Sequence, residues 1–230
     1  MLTKIKCELI CYTHNAEEVI TKINKFCDIE DKMQIEHTNF TFAVEGISTS
    51  CTHQLLRYKL QTYSQQSQND FNRAFSYITP NSIQDNPFIN ELFVQAMQNA
   101  FNSYIEISRK LLEHEVLNFA QSKGIPIYNL TLNLIEELIK ANYSKQYTAM
   151  INKSIEEAKT VLPNACETKI VFTMNAKDLI NFFDDTHCNK VSQEIRQISL
   201  LMLSQVREVA PTLFKYAGAS SYIEDFITVR

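Results

Sequence analysis

Arg57 and Lys59, two residues apart, are followed after seven residues by Ser67, within a run (52–68) that contains no acidic side chain. Two cations at that spacing reach one phosphate, or flank a pyrophosphate, through charge-assisted hydrogen bonds. Gln54, Gln65, Gln66 and Ser67 add neutral donors and acceptors suited to a heterocycle. The competing reading of the same residues is a polar, solvated loop. Any phosphate here must be held by side chains and ordinary backbone. The chain's three glycines, Gly46, Gly124 and Gly218, are too far apart for a glycine-rich dinucleotide loop or a Walker loop.

The rest of the composition narrows the chemistry further. Twenty-two basic and 26 acidic side chains give a formal charge of −4, which argues against a general nucleic-acid binder. The six cysteines, Cys7, Cys11, Cys27, Cys51, Cys166 and Cys188, include no Cys-x-x-Cys pair, so zinc and dithiol chemistry have little support. Buried, reduced thiols are the expectation. No apolar run approaches the roughly 18–20 residues that span a bilayer, and the first residues lack a signal-peptide layout. A cytoplasmic protein with no membrane partner is the resulting expectation.

At 230 residues the chain is one large domain or two small ones. Alternation of Ile5, Cys7, Leu9 and Cys11 predicts a strand over 4–12, and 16–26 has helical spacing. Phe40, Phe42 and Val44 share one face of a predicted strand over 39–46. Ser48 is placed to cap a helix running towards Arg57. Pro80 and Pro87 bracket a loop, after which 88–121 forms a long amphipathic helix with Phe93, Met97, Phe101, Tyr104, Leu111 and Leu112 in its apolar stripe. Gly124-Ile125-Pro126 breaks it. Helices over 130–142 and 146–161, a strand over 168–173 and helices over 176–183 and 191–209 complete the pattern. Asn175 with Asp178 three residues on marks the start of the 176–183 helix. The sum is mixed α and β, with helix dominant.

Two blocks of wording resemble the flavin-dependent thymidylate synthases. That family carries Arg-His-Arg, seven residues, then Ser, preceded by His-Gln-Leu; here His53-Gln54-Leu55, Arg57 and Ser67 stand in place. Upstream, Glu36-His37, Phe40-x-Phe42 and Glu45-Gly46-x-Ser48 also match. The second block, Glu157-Ala158-Lys159 through Leu162-Pro163-Asn164, leads into Asn175-Ala176-Lys177, Asn181-Phe182 and Glu194-Ile195-Arg196. Ala210-Pro211-x-x-Phe214-Lys215 and Ala217-Gly218 fit the family's C-terminal wording.

The resemblance implies an α+β fold, helix-rich with a mixed or antiparallel sheet, as a single domain over 1–230 with a helical insert at about 116–150. It implies a homotetramer that methylates dUMP to dTMP with FAD, drawing on NADPH and methylenetetrahydrofolate. By the same resemblance Arg57, Tyr58, Lys59, Gln65, Asn175, Ala176, Lys177 and Asn181 fall on the FAD site. Gln54, Leu55, Leu56, Arg57, Gln65, Gln66, Ser67, Gln68, Asn69 and Lys159 fall on the pyrimidine nucleotide site. Each has a plainer reading: Asn175 as a helix cap, Asn181 and Lys159 as helix-surface residues.

Departures from the family pattern concentrate on the substrate side. Tyr58 replaces a histidine, and Lys59 and Lys159 replace arginines, which keeps charge but loses the planar fork. Asn69-Asp70 stands where the family has Arg-Tyr. Thr186 occupies the position of the family's catalytic arginine, which stabilises the ionised uracil ring; a threonine supplies no charge, and losing one such contact costs about 10²–10³ in rate. The adjacent His187 substitutes for it only when protonated. Two alternatives therefore stay open: an FAD-binding relative acting on another pyrimidine nucleotide, and a non-catalytic paralogue.

Overall fold

The computed structural model describes residues 4–27, 32–66, 75–186 and 191–218. The chain forms two compact units, one from residues 1–66 with 167–230, the other from 67–166.

The first unit is a four-stranded antiparallel sheet with helices. Its order is β1 (Lys6–Tyr12), β2 (Asn39–Ser48), β4 (Glu167–Asn175) and β3 (Thr62–Gln65). β2 and β4 pair over most of their length, from Asn39↔Asn175 to Ser48↔Glu167. That register stacks Phe40, Phe42 and Val44 beside Met174, Phe172 and Ile170 on one buried face. On the other face Lys6 and Lys169 close on Glu45 at 2.7 Å each, from the strands either side of it. Gly46 makes a bulge in β2 at φ +75; a Cβ there would lie 2.9 Å from the Lys4 carbonyl oxygen, so the position requires glycine. A second irregularity lies at Ile10 in β1. Beside it Gln205 accepts the Leu9 N–H at 2.6 Å and donates to the Cys7 carbonyl at 3.0 Å.

Around this sheet lie α1 (Ala16–Cys27), a 3-10 turn at Lys32–His37, α2 (Thr49–Leu55), α7 (Ala176–Thr186) and α8 (Gln193–Val209). The apolar faces of α2, α7 and α8, with Ile35 of the turn, meet the sheet in one core in which Phe40, Phe42, Phe172, Phe182, Phe183 and Phe214 are fully buried. Each such ring removed from water contributes roughly 1.5–3 kcal/mol.

The second unit contains α3 (Asn81–Gln84), α4 (Pro87–Ser122), α5 (Leu132–Asn142) and α6 (Ser144–Ala158). Asn86 caps α4, accepting the N–H groups of Phe88 and Ile89, with Pro87 in the first turn where its missing N–H is harmless. Val116 and Ala120 of α4 pack with Ile135, Ile139, Tyr147 and Met150 in a separate core. The Tyr147 hydroxyl donates to Glu136, which ties α6 to α5.

Several expectations change. The polar run after Arg57 was expected as loop, yet Thr62–Gln65 is a strand, paired residue by residue with Thr173–Ile170. The segment between Pro80 and Pro87 holds the short helix α3. The helix expected over 146–161 starts at Ser144 and becomes 3-10 at Lys159–Val161. α7 runs to Thr186 rather than 183. Cys51 and Cys166 are buried, reduced thiols as expected, but Cys11 is exposed. Burial pushes the Cys166 thiol up to about 11 and the Cys7 thiol up to about 12. Among the described residues, no helix is long and apolar enough to cross a membrane, and no cluster of His, Cys, Asp or Glu could hold a metal ion.

Candidate functional site

α2 is the element that delivers the Arg57 motif. Ser48 ends β2 and caps α2, its Oγ accepting the Cys51 N–H at 3.0 Å. The same hydroxyl donates to Glu194 of α8 at 2.6 Å, and the Ser48 N–H reaches the other Glu194 oxygen at 2.8 Å. One serine thus joins β2, α2 and α8. α2 stops at Leu55 because Leu56, Arg57 and Tyr58 close the last turn with N–H bonds to Thr52, Gln54 and Leu55.

The residues of this motif diverge in what they offer. Leu55 is buried in the core and Leu56 half-buried, so neither presents a polar group. Tyr58 stands edge-on to Phe182 with centroids 4.7 Å apart. Arg57 and Lys59 are exposed, and Gln54 is half-buried. Gln65 spends its amide nitrogen on the hydroxyls of Thr52 (3.2 Å) and Thr168 (3.3 Å), which binds β3 to α2 and β4. Gln66 is exposed and donates its N–H to the Lys169 carbonyl. Ser67, Gln68, Asn69, Asp70 and His187 lie outside the described residues.

α7 carries the second group. Asn175 caps it reciprocally: its Oδ1 accepts the Asp178 N–H at 2.8 Å while its Nδ2 donates to the Asp178 carboxylate at 2.8 Å. The cap reading of Asn175 is therefore realised. Ala176 is buried and gives its N–H to the Thr38 carbonyl. Lys177 forms an ion pair with Glu36. That hydrogen bond, the charge of Lys177, and the nearby Lys59 and His37 hold the Glu36 carboxyl below its ordinary range. Two lysines expected on the FAD site thus act on one carboxylate, Lys177 by direct pairing and Lys59 by its charge, leaving a net positive cluster.

Beside that cluster opens a cavity of about 770 Å³, within the roughly 300–1,000 Å³ usual for ligand pockets. Ile20 of α1, Ile35, Ile180 of α7, Leu213 and Ala217 supply apolar wall. Lys177, Asn181, Glu17 and Thr212 supply polar groups, and Tyr216 also borders it. Glu17 accepts the Thr212 N–H at 3.2 Å, joining α1 to the segment after α8. Apolar wall with a few convergent polar groups suits a planar heterocycle bearing an anionic tail, which fits a flavin nucleotide. Of the expected FAD residues, Lys177 and Asn181 line this space, and Lys59 lies close enough to Glu36 to act on its charge.

Thr186 is placed differently. It is 2 % exposed and does not line the cavity. Its Oγ lies 2.8 Å from the Phe182 carbonyl, 3.2 Å from that of Phe183 and 2.6 Å from the Ser199 hydroxyl of α8. A hydroxyl has one proton, so Thr186 donates to the Phe182–Phe183 turn and accepts from Ser199. It closes the end of α7 and fastens it to α8. Lys159 belongs to the helical unit, where its side chain is largely buried and paired with Glu156 at 2.7 Å.

Sequence reasoning did not single out Glu17, Ile20, Ile35, Thr212, Leu213 or Tyr216. The family-like wording from Ala210 to Gly218 was the available signal for the last three.

The chain matches the family model described as Thymidylate synthase complementing protein over residues 5–212. It is similar to the flavin-dependent thymidylate synthase of Clostridium tetani, with 36% identity over 94% of this chain and 88% of that protein. The flavin-dependent thymidylate synthase of Geobacter sulfurreducens is 32% identical over 89% of this chain and 72% of that protein. One family model spans both compact units, and relatives above 30% identity cover most of the chain, so this chain belongs to the thymidylate synthase complementing protein family.

Proposed function

We propose that the protein is a flavin-dependent thymidylate synthase, converting dUMP to dTMP with methylenetetrahydrofolate as one-carbon donor and NADPH as reductant. Family membership supports this reaction over the two alternatives, a relative acting on another pyrimidine nucleotide and a non-catalytic paralogue. The observation that carries it is the cavity in which Lys177 and Asn181, expected on the FAD site from sequence, face one space with apolar walls.

A bound flavin supplies the hydride chemistry that no amino-acid side chain provides. Lys177 and Lys59 would hold its anionic part, Asn181 would offer it a hydrogen bond, and Ile35, Ile180 and Leu213 would shield it from water. Gln54, Arg57, Gln65 to Asn69 and Lys159 are assigned to the nucleotide. Thr186 holds α7 to α8 and is given no part in stabilising charge. Assembly as a homotetramer, a cytoplasmic location and an insert at 116–150 that fills a subunit interface or covers the site belong to the same reading.

The test is purification followed by anaerobic titration with dUMP, UMP and dCMP, alongside rescue of a thymidine-requiring bacterial strain. Retained flavin absorbance after gel filtration, a spectral response to dUMP and rescue are expected. A soluble, flavin-loaded protein that ignores dUMP, answers to another pyrimidine nucleotide and fails to rescue would overturn the substrate assignment.

A further inference from the structure

The segment after α8 presents one aromatic ring to solvent at the border of the cavity. Tyr216 is 84 % exposed, yet its neighbours on both sides are fixed. Phe214 is buried against Phe40 and Phe183, with centroids 5.2 and 6.0 Å away. Arg207 of α8 donates to the carbonyls of Phe214 (3.2 Å) and Ala217 (2.8 Å). Gly218, at φ +71, gives its N–H to the Asp184 carboxylate of α7 at 2.9 Å. The backbone that carries Tyr216 is therefore held from α7, α8 and the sheet core, while its ring is left in water.

A large ring exposed to that extent costs hydration free energy that packing elsewhere in the core avoids. Tyr128 is as exposed, but it does not border this cavity. Tyr216 differs in bordering a space that is lined both by apolar side chains, Ile35, Ile180 and Leu213 among them, and by Lys177. The Lys215 ammonium lies 5.2 Å from its ring centroid, which covers one face by cation–π attraction and adds positive charge at the rim. A planar heterocycle has the remaining face to stack on. Because the backbone is already ordered, little conformational entropy opposes that stacking.

We propose that Tyr216 is a ligand-binding residue, the stacking platform for the planar heterocycle of a nucleotide whose phosphates meet the Lys177 cluster. The proposal rests on the flavin reading above for the identity of that nucleotide, and on the cavity geometry for the role of the ring. FAD offers two planar rings, flavin and adenine, and either satisfies the geometry.

The experiment compares FAD, FMN and ADP binding to the full-length protein, its Tyr216→Ala variant and its Tyr216→Phe variant, by calorimetry and by quenching of flavin emission. Alanine substitution of an aromatic that stacks on a base costs about 5–150-fold in affinity. Y216A should therefore bind FAD about tenfold or more weakly, and Y216F within about twofold of the parent. The loss should persist at high salt, since stacking is not screened as the Lys177 contact is. A loss shared by FMN assigns the flavin ring to Tyr216; a loss shared by ADP assigns adenine. Equal FAD affinity in Y216A and the parent overturns the stacking role and leaves the flavin reading standing. A parent that binds ADP but neither flavin, with Y216A weakened, supports the stacking role and overturns the flavin reading. A parent that binds none of the three overturns both.

Discussion

Replacing Thr186 by valine decides whether that position holds the fold together or takes part in the reaction. Valine keeps the shape and removes the hydroxyl. Two effects follow from the distances of 2.8 Å to the Phe182 carbonyl and 2.6 Å to Ser199. The bond to the turn is lost, at about 0.5–1.5 kcal/mol, and the buried Ser199 hydroxyl loses its acceptor, at about 1–3 kcal/mol. The added apolar methyl offsets part of this, so T186V should be less stable by about 2 kcal/mol. In a chain of this size that lowers Tm by about 4–8 °C. Ser199→Ala alone should cost about 1 kcal/mol. The double variant should be less destabilised than the sum by about 1–2 kcal/mol, because no buried hydroxyl is then left without a partner. Urea unfolding of the four proteins measures the cycle, and turnover at a temperature where all are folded measures chemistry. Additive losses, or a T186V enzyme of native stability whose kcat falls a hundredfold, would refute the structural role and return Thr186 to the reaction.

Three further outcomes are expected. Glu36→Gln removes the carboxylate that occupies Lys177, so FAD affinity should rise about two- to fivefold at low ionic strength and less at high salt; unchanged affinity at low salt contradicts the proposed phosphate cluster. Lys169 and Lys6 hold the Glu45 carboxyl down at about 2, below its unfolded value. The folded pKa being the lower, this contribution is fully present above about pH 4.5 and lost as pH falls through about 2. After discounting for exposure, Glu45→Gln should cost about 0.5–1 kcal/mol at pH 7 and nothing measurable near pH 2, by denaturant titration at each pH. Ser48→Ala removes the cap of α2 and its bond to Glu194, for a loss of about 2 kcal/mol in unfolding measurements; Ser48→Thr, which keeps the hydroxyl, should retain most of it.

The elements that read correctly from sequence are those whose signals are local. Phe40, Phe42 and Val44 alternate whatever the rest of the chain does. Ser48, Asn175 with Asp178, and the Gly124-Ile125-Pro126 break act within four residues of where they stand, and each is realised in the structure. β3 was missed for the opposite reason. Thr62, Tyr63 and Ser64 are exposed and polar, and become a strand only because β4, a hundred residues on, offers free backbone partners. Tyr58 reads as a member of a binding motif, and its ring also meets Phe182. The sequence cannot show that meeting, since it depends on how α7 lies beside the end of α2.

The amino-acid sequence by itself determined the family, the main helices and strands, and the absence of glycine-based phosphate loops, all of which depend on residue order and short-range periodicity. Tertiary structure alone decided the cavity. The cavity is assembled from α1, the turn before β2, α7 and the segment after α8, which lie up to two hundred residues apart, and its walls have no signature until those segments meet. It also decided what Thr186 touches. A residue standing at a catalytic position in the family wording is, in three dimensions, a buried hydroxyl already shared among Phe182, Phe183 and Ser199, because the end of α7 packs against α8.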